Sequence, residues 1–336
     1  MTRAISLEAS AIVLAMALVA VAPSSARAQA FVPAQGEGAV SFMFSDQFYR
    51  YHLAPTNEVD AGQIYTRTFL ADVTYGLTDK VAISVGLPMV ATRYDGAQPH
   101  TLNGSIVTVD NGAWHETAQD VRIDLRYNVT RNLANTGIVV TPFVGSITPS
   151  HDYSYYGHGA YGRDLHEVEI GASAAKLFEH GIPGLLIQGR YAYGFVQQVV
   201  DIPHNRSLMS LEAAYFVTPK LRVLGLSSGQ ITHGGIDFLG GPIMKAILTP
   251  DQFLHHDQIQ EENVLNVGGG ASYSLTDSLD VFGSLLHAVA QRNGHELARG
   301  LQFGVSWSFT TAHARKSTAT VAENSLVRCL CEKGTK

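Results

Sequence analysis

"QDVRIDLRYNV", residues 119–129, alternates strictly between two kinds of residue. Val121, Ile123, Leu125, Tyr127 and Val129 form an apolar set, while Asp120, Arg122, Asp124, Arg126 and Asn128 form a charged or polar one. Successive side chains of a β-strand point to opposite faces, so the stretch predicts a strand with one apolar and one charged face. On a soluble sheet the apolar face would meet a core and the charged face water. In a membrane barrel the apolar face meets hydrocarbon and the charged face a wet lumen.

The same period recurs along the chain. Phe69, Ala71, Val73, Tyr75 and Leu77 alternate with Leu70, Asp72, Thr74 and Gly76; Val81, Ile83, Val85, Leu87 and Met89 alternate with Ala82, Ser84, Gly86 and Pro88. Leu185, Ile187, Tyr191, Tyr193 and Phe195 stand opposite Gln188, Arg190, Ala192 and Gly194, and Leu301, Phe303, Val305, Trp307 and Phe309 opposite Gln302, Gly304, Ser306 and Ser308. A repeat, Tyr-x-(Leu/Val)-Thr, starts at Tyr75, Tyr127, Tyr215 and Tyr273 and runs each time into a short turn, "TDK", "TRNLANT", "TPK" or "TDS"; "EHGIPG" fills the gap between the second and third copies. Connections on the other side, roughly 50–62, 95–116, 150–165, 199–206, 232–261 and 292–296, are mostly longer and polar.

Twelve strands follow, near 38–49, 63–77, 81–94, 116–129, 137–149, 166–178, 185–198, 207–217, 221–231, 262–275, 279–291 and 297–309. An even count, short turns on one side, long loops on the other and aromatics at the turn-side strand ends predict an all-β transmembrane antiparallel β-barrel with periplasmic turns and extracellular loops. Its rival is a secreted β-sandwich. The barrel reading is favoured by the chain's beginning: Arg3, an apolar run from Ala11 to Ala22 and Ala28-Gln29-Ala30 read as a secretory signal peptide over 1–30, cleaved near Ala30. The barrel spans 31–309, and the Ser-, Thr- and Ala-rich segment 310–336 reads as a disordered periplasmic tail.

Composition narrows the function. A net charge of −6 argues against nucleic acid. The two cysteines, Cys329 and Cys331, sit in the tail, so no disulfide framework holds the barrel. "VTYGLTDKVAISVGLP" (73–88) and "DVRIDLRYNV" (120–129) resemble the outer-membrane proteins named for the phenol meta-cleavage pathway. That resemblance implies an outer-membrane channel or transporter associated with aromatic compounds, and it specifies architecture better than substrate. "LQFGVSWSF" (301–309), ending on Phe309, resembles the last-strand signature that the barrel-assembly machinery recognises, although 27 residues follow it here.

Parity gives a candidate lumen lining of Asp72, Asp120, Arg122, Asp124, Arg126, Glu167, Glu169, Arg190, Glu212 and Arg222. These charges either tune the selectivity of a pore or form a salt-bridged network filling a narrow barrel. The segment 234–254 is apolar enough to fold inward, which makes Phe238, Leu239, Ile243, Met244 and Phe253 the candidate solute contacts. Eleven of the 14 histidines map to the loop side, and "HHD" (His255, His256, Asp257) is the best nucleus of a Zn or Cu site. Serine and histidine come together in "SHD" (150–152) and "HNRS" (204–207), but a nucleophile needs a base and an orienting group placed in space, and loop pairs of this kind arise readily by chance, so no enzyme and no cofactor is expected. The expected function is passive uptake of a small solute, hydrophobic or aromatic, with outer-membrane lipid as the surrounding partner. The competing expectation is a non-transporting surface barrel whose histidine-rich loops bind metal or a partner.

Overall fold

The computed structural model describes residues 30–54, 58–129, 137–239 and 241–311. The signal segment except Ala30, the turn 130–136 and the tail from residue 312 lie outside the described residues. The strands are β1 (Glu37–Leu53), β2 (Glu58–Gly76), β3 (Val81–Asp95), β4 (Thr101–Leu102), β5 (Ser105–Ile106), β6 (His115–Ala118), β7 (Val121–Tyr127), β8 (Ile138–Thr148), β9 (Glu167–Leu177), β10 (Leu185–Val196), β11 (His204–Phe216), β12 (Leu221–Gly234), β13 (Asn263–Ser274), β14 (Leu279–Arg292) and β15 (His295–Thr310). Apart from the small β4–β5 hairpin, each pairs antiparallel with its neighbours, and β15 returns to β1. β6 and β7 both pair with β3 and act as one wall strand, so the closed barrel has twelve.

The break between β6 and β7 has a local cause. Met89 pairs with Ala118 and Gly86 with Arg122, so the β6–β7 side carries one extra residue opposite Leu87 and Pro88. Proline has no N–H to give the ladder, and a bulge is where a strand accommodates it. The Pro88 carbonyl still accepts from the Gln119 amide at 2.9 Å.

Alternation in the sequence becomes two surfaces. Ile123, Ile170, Leu211, Leu285 and Phe303 are exposed on the outside, while Ser41, Ser84, Glu169, Ser173, Ser272 and Ser306 are buried inside. The recurrent threonine caps the tight turns. Thr78 Oγ1 accepts from the amides of Lys80 and Val81, and Thr218 Oγ1 does so from Lys220 and Leu221. This side-chain mimicry of a turn is the physical content of the repeat. Tyr75 stacks on Phe309, and the exposed Tyr127, Tyr215, Tyr273 and Trp307 continue the aromatic rim at the turn side.

On the opposite side strands run further than the alternation alone indicates. β1 and β2 leave only residues 54–57 between them, and β14 and β15 close at Asn293-Gly294, both with positive φ (56° and 75°), the two-residue turn that suits a hairpin's twist. Longer connections follow β3, β8 and β12, and the last carries three short helices, α1 (Gly241–Ile247), α2 (Pro250–Leu254) and α3 (His256–Ile259).

The turn-side end of the lumen is occupied by the chain itself. Ala30 is fully buried against Val139, Ala175, Leu186 and Ala214, with Phe31 packed alongside. Thr141 Oγ1 donates to the Ala30 carbonyl at 2.5 Å. A Cβ at Gly76 would overlap the Ala34 carbonyl, so this close approach requires glycine. The Thr311 amide then donates to Gly36 at 2.8 Å, joining both ends of the barrel sequence on the turn side.

Placing Arg at Ile123, which lies outward four residues from the Tyr127 rim, should lower folding stability by about 2–4 kcal/mol if that face meets the bilayer midplane. Urea titration into lipid vesicles, read by heat-modifiable gel migration, measures this; a loss below about 1 kcal/mol would place the site outside hydrocarbon.

Candidate functional site

All ten charged residues picked out by parity stand on the inward face of the barrel. Seven of them, Asp72, Asp120, Arg122, Asp124, Arg126, Glu167 and Arg190, line one internal cavity of about 440 Å³. Arg122 and Arg190 also line a second cavity of about 210 Å³, with Glu169 and Glu212. Arg222 lies on the inward face of β12, donating to Ser272 Oγ at 2.8 Å with Asp280 Oδ2 3.8 Å away.

Several of these charges are paired or hydrogen-bonded across strands. Arg190 donates to Glu169 at 2.6 Å and lies 3.9 Å from Asp124, with its guanidinium 3.8 Å from the centre of the Phe143 ring. Arg126 donates to Ser84 at 2.8 Å and Thr74 at 3.3 Å. Glu167 is gripped by Arg206 through two bonds, one of them Nε to Oε1 at 3.0 Å. A Cβ at Gly194 would overlap that carboxylate, so the glycine makes room for the pair. Apolar Met43, Leu70, Ile147, Leu165 and Phe282 share the larger cavity with these charges, which makes its lining amphipathic.

Two charged lining residues escape parity. Arg206 lies just before the sequence-derived start of its strand, and Arg163 comes from the connection between β8 and β9, which dips into the barrel and brings Gly162 and Leu165 with it. Arg163 donates to Glu262 at 2.9 Å. The inward-folding segment is therefore residues 149–166. Among the described residues, none of 234–254 lines either cavity; the segment is fastened instead over the loop-side strand ends, at His52 and Asn293.

Within the cap, Phe238 stacks on His52 with ring centres 3.6 Å apart, Met244 is buried, and Phe253 stacks on His256 at 5.2 Å. Leu239, just before the helix, is exposed instead, and so is Ile243, which lies on a different side of α1 from the buried Met244. Asn293 fastens the cap: it accepts from the Phe238 amide at 3.0 Å and donates to the Glu261 carbonyl at 2.7 Å.

At the loop side five histidines gather from five parts of the chain: His52, His100, His158, His256 and His295. Ring centres of His100 and His158 are 4.2 Å apart, those of His52 and His295 4.8 Å, and those of His100 and His256 5.5 Å. Asp110 knits two loops together, accepting from the amides of His100 (2.8 Å), His158 (3.1 Å) and Gly159 (2.8 Å) and meeting His100 Nδ1 at 3.1 Å. Burial alone would lower His100, but its bond to Asp110 and the charge of Asp257 outweigh that and raise it. Burial and the neighbouring imidazoles of His100 and His295 push His158 down to about 3. Burial would raise Asp257, but the four histidines around it hold it at about 2.

Of the "HHD" nucleus, His256 and Asp257 join this cluster. His255 points away, stacking on Tyr155 at 5.1 Å and meeting Gln258 at 2.5 Å. Periodicity along one chain could not bring together histidines at 52, 100, 158, 256 and 295. Of the serine–histidine stretches, Ser150 meets His151 Nδ1 at 2.9 Å in an exposed pair whose Nε2 bonds Thr117 at 2.9 Å, whereas His204 and Ser207 find other partners: His204 Nδ1 bonds the Ile202 carbonyl at 3.0 Å, and Ser207 meets His233 at 2.8 Å and Tyr191 at 3.0 Å.

No protein-family model matches the chain, and no curated protein matches it. Among solved structures it is similar to an outer-membrane channel from Pseudomonas putida F1, at 13% identity and a TM-score of 0.62, covering 85% of this chain and 100% of that one. It also aligns with the NanC porin at 10% identity and a TM-score of 0.43, covering 81% and 99%. A mutant of the monoaromatic hydrocarbon channel TodX aligns at 9% identity and a TM-score of 0.41, covering 84% and 92%. The first likeness establishes the fold of an outer-membrane barrel.

Glu167→Ala would strand the Arg206 guanidinium in the lumen and should lower stability by about 3 kcal/mol. Asp46→Ala, which removes a partner of the half-exposed Arg67 and Arg299, should cost less than about 1 kcal/mol. Equal losses in urea titration would show that the lumen pair is as well solvated as a surface pair.

Proposed function

We propose that this chain is an outer-membrane channel for passive uptake of a small solute with an apolar body and a polar end, an aromatic compound being the favoured class. The observation that carries the reading is the cavity of about 440 Å³ inside a closed barrel, with Met43, Leu70 and Phe282 sharing its wall with paired charges. A cavity of this size suits a small ligand rather than a polymer, and polar groups set among apolar ones orient an amphipathic solute. The resemblance of 73–88 and 120–129 to the phenol meta-cleavage outer-membrane proteins supports the same solute class.

In this reading the secretory segment is removed near Ala30, and the new amino terminus stays at the periplasmic end of the lumen. The last strand delivers the chain to the barrel-assembly machinery, and the apolar outer face meets membrane lipid. Arg163, reaching from the inward loop to Glu262, stands in the solute's path. The loop cap above it controls entry.

Planar-bilayer conductance and liposome swelling with small aromatic solutes test this. Arg163→Ala should raise conductance about twofold by removing the inward side chain and its pairing, and deletion of 234–254 should raise the frequency of opening. A wild-type protein and both variants that are silent and impermeable, yet correctly folded by heat-modifiable migration, would refute the transport reading.

A further inference from the structure

We propose that His100, His256 and Asp257 bind a divalent transition-metal ion that ties two surface loops together over the barrel mouth. The reasoning starts from where the ring hydrogens go. His256 Nδ1 lies 2.6 Å from the Phe253 carbonyl, which can only accept, so Nδ1 carries the hydrogen and Nε2 the lone pair. His100 Nδ1 lies 3.1 Å from Asp110 Oδ2 and likewise donates, leaving its Nε2 as a lone pair.

Both lone pairs face the same carboxylate. His256 Nε2 is 3.3 Å from Asp257 Oδ1, and His100 Nε2 is 3.8 Å from Asp257 Oδ2. Asp257 Oδ2 is buried and, among the described residues, has no hydrogen-bond partner. Three acceptors converging with no hydrogen between them are held apart by their own charge unless a cation joins them. Ligand atoms from these three residues all lie within 4.8 Å of one another. Bonds of 2.0–2.1 Å in a tetrahedron place neighbouring ligands about 3.3 Å apart, which the two contacts to Asp257, at 3.3 and 3.8 Å, already approach, and side-chain rotation closes the rest on binding.

The donor set selects the ion. Two imidazoles and a carboxylate suit Zn, Co, Ni or Cu, whereas Ca and Mg prefer an all-oxygen cage. Asp110 and the Phe253 carbonyl supply the outer bonds that fix ring orientation at such sites. A second grouping, His100 with Asp110 and His158, is less suited. Both ring nitrogens of His158 already have partners, His295 and the Gln98 carbonyl, each at 3.3 Å. The Asp257 side chain keeps 29% exposure, which gives an ion a way in and an outside fourth ligand.

The consequence is mechanical. His100 follows β3 and His256 follows β12, so the bound ion would staple the 96–114 loop to the cap. The site does not depend on the transport reading, and a surface barrel could carry it equally.

The test is titration of tag-free, refolded, full-length protein with Co²⁺, read by its visible absorption, and with Zn²⁺ in competition with a chromophoric chelator. It is run in a Cys329→Ser, Cys331→Ser background so that the tail contributes nothing. One equivalent should bind, and Asp257→Asn and His100→Gln should each weaken it at least about 100-fold, while His255→Gln leaves it within about threefold. Zn²⁺ should also slow proteolysis of the 96–114 loop in the parent and not in His100→Gln. Absence of saturable binding would mean that a proton on one imidazole joins these groups, and it overturns the proposal. Binding kept by both ligand variants, or lost equally in His255→Gln, overturns it too. Heat-modifiable migration of each variant separates a lost site from a lost fold.

Discussion

Hydrocarbon offers no hydrogen-bond partner to a peptide group, and everything else in this chain follows from that constraint. A sheet in lipid must have no free edge, so β1 pairs with β15 across almost the whole described sequence, down to a Ser41–Ser306 hydroxyl contact at 2.9 Å. Once closed, the sheet has one outside and one inside, and the period of two sorts every strand residue between them. Charges in "DVRIDLRYNV" are then tolerable only because they are enclosed. The lumen supplies the partners that lipid cannot.

This is why so much was legible in the sequence. Alternation is a local property, and it located all twelve strands and the inward side of Asp72, Asp124, Glu169 or Arg190 from neighbours two residues away. The threonine repeat marked turns for an equally local reason, since Thr78 and Thr218 bond amides two and three residues on. Strand ends on the loop side were less legible because hairpins such as β1–β2 continue past the apolar band, where protein and water rather than lipid satisfy the ladder. Arg163, Ala30 and the five clustered histidines were invisible as a site. Each owes its place to contacts with residues tens to hundreds of positions away, which no periodicity encodes.

The lumen charges answer a question of their own. Ion pairs removed from water contribute little net stability against an apolar alternative of the same shape. A merely stable barrel of this width could be filled with leucine and valine, as its turn-side end is around Val139 and Leu186. Instead Gly194 is kept bare beside Glu167 and Arg206, and Arg190 is shared by Glu169, Asp124 and the face of Phe143. The arrangement preserves a polar space between strands that an apolar filling would remove.

The two ends of that space are closed by different physics. At the turn side, Phe31 packs against the apolar cluster of Val139, Ala175, Leu186 and Ala214, and opening it would expose nonpolar surface to water. At the loop side the cap rests on polar attachments: Asn293 to Phe238 and Glu261, Arg163 to Glu262, Asp110 to three amides, and the histidines around Asp257. A protein hydrogen bond exchanged for a water bond changes the free energy by only about 0.5–1.5 kcal/mol, so such a cap can lift in steps, each cheap where water enters as the bond breaks. The loop end is therefore the one built to move, and a cation shared between His100 and the cap would set how readily it does so.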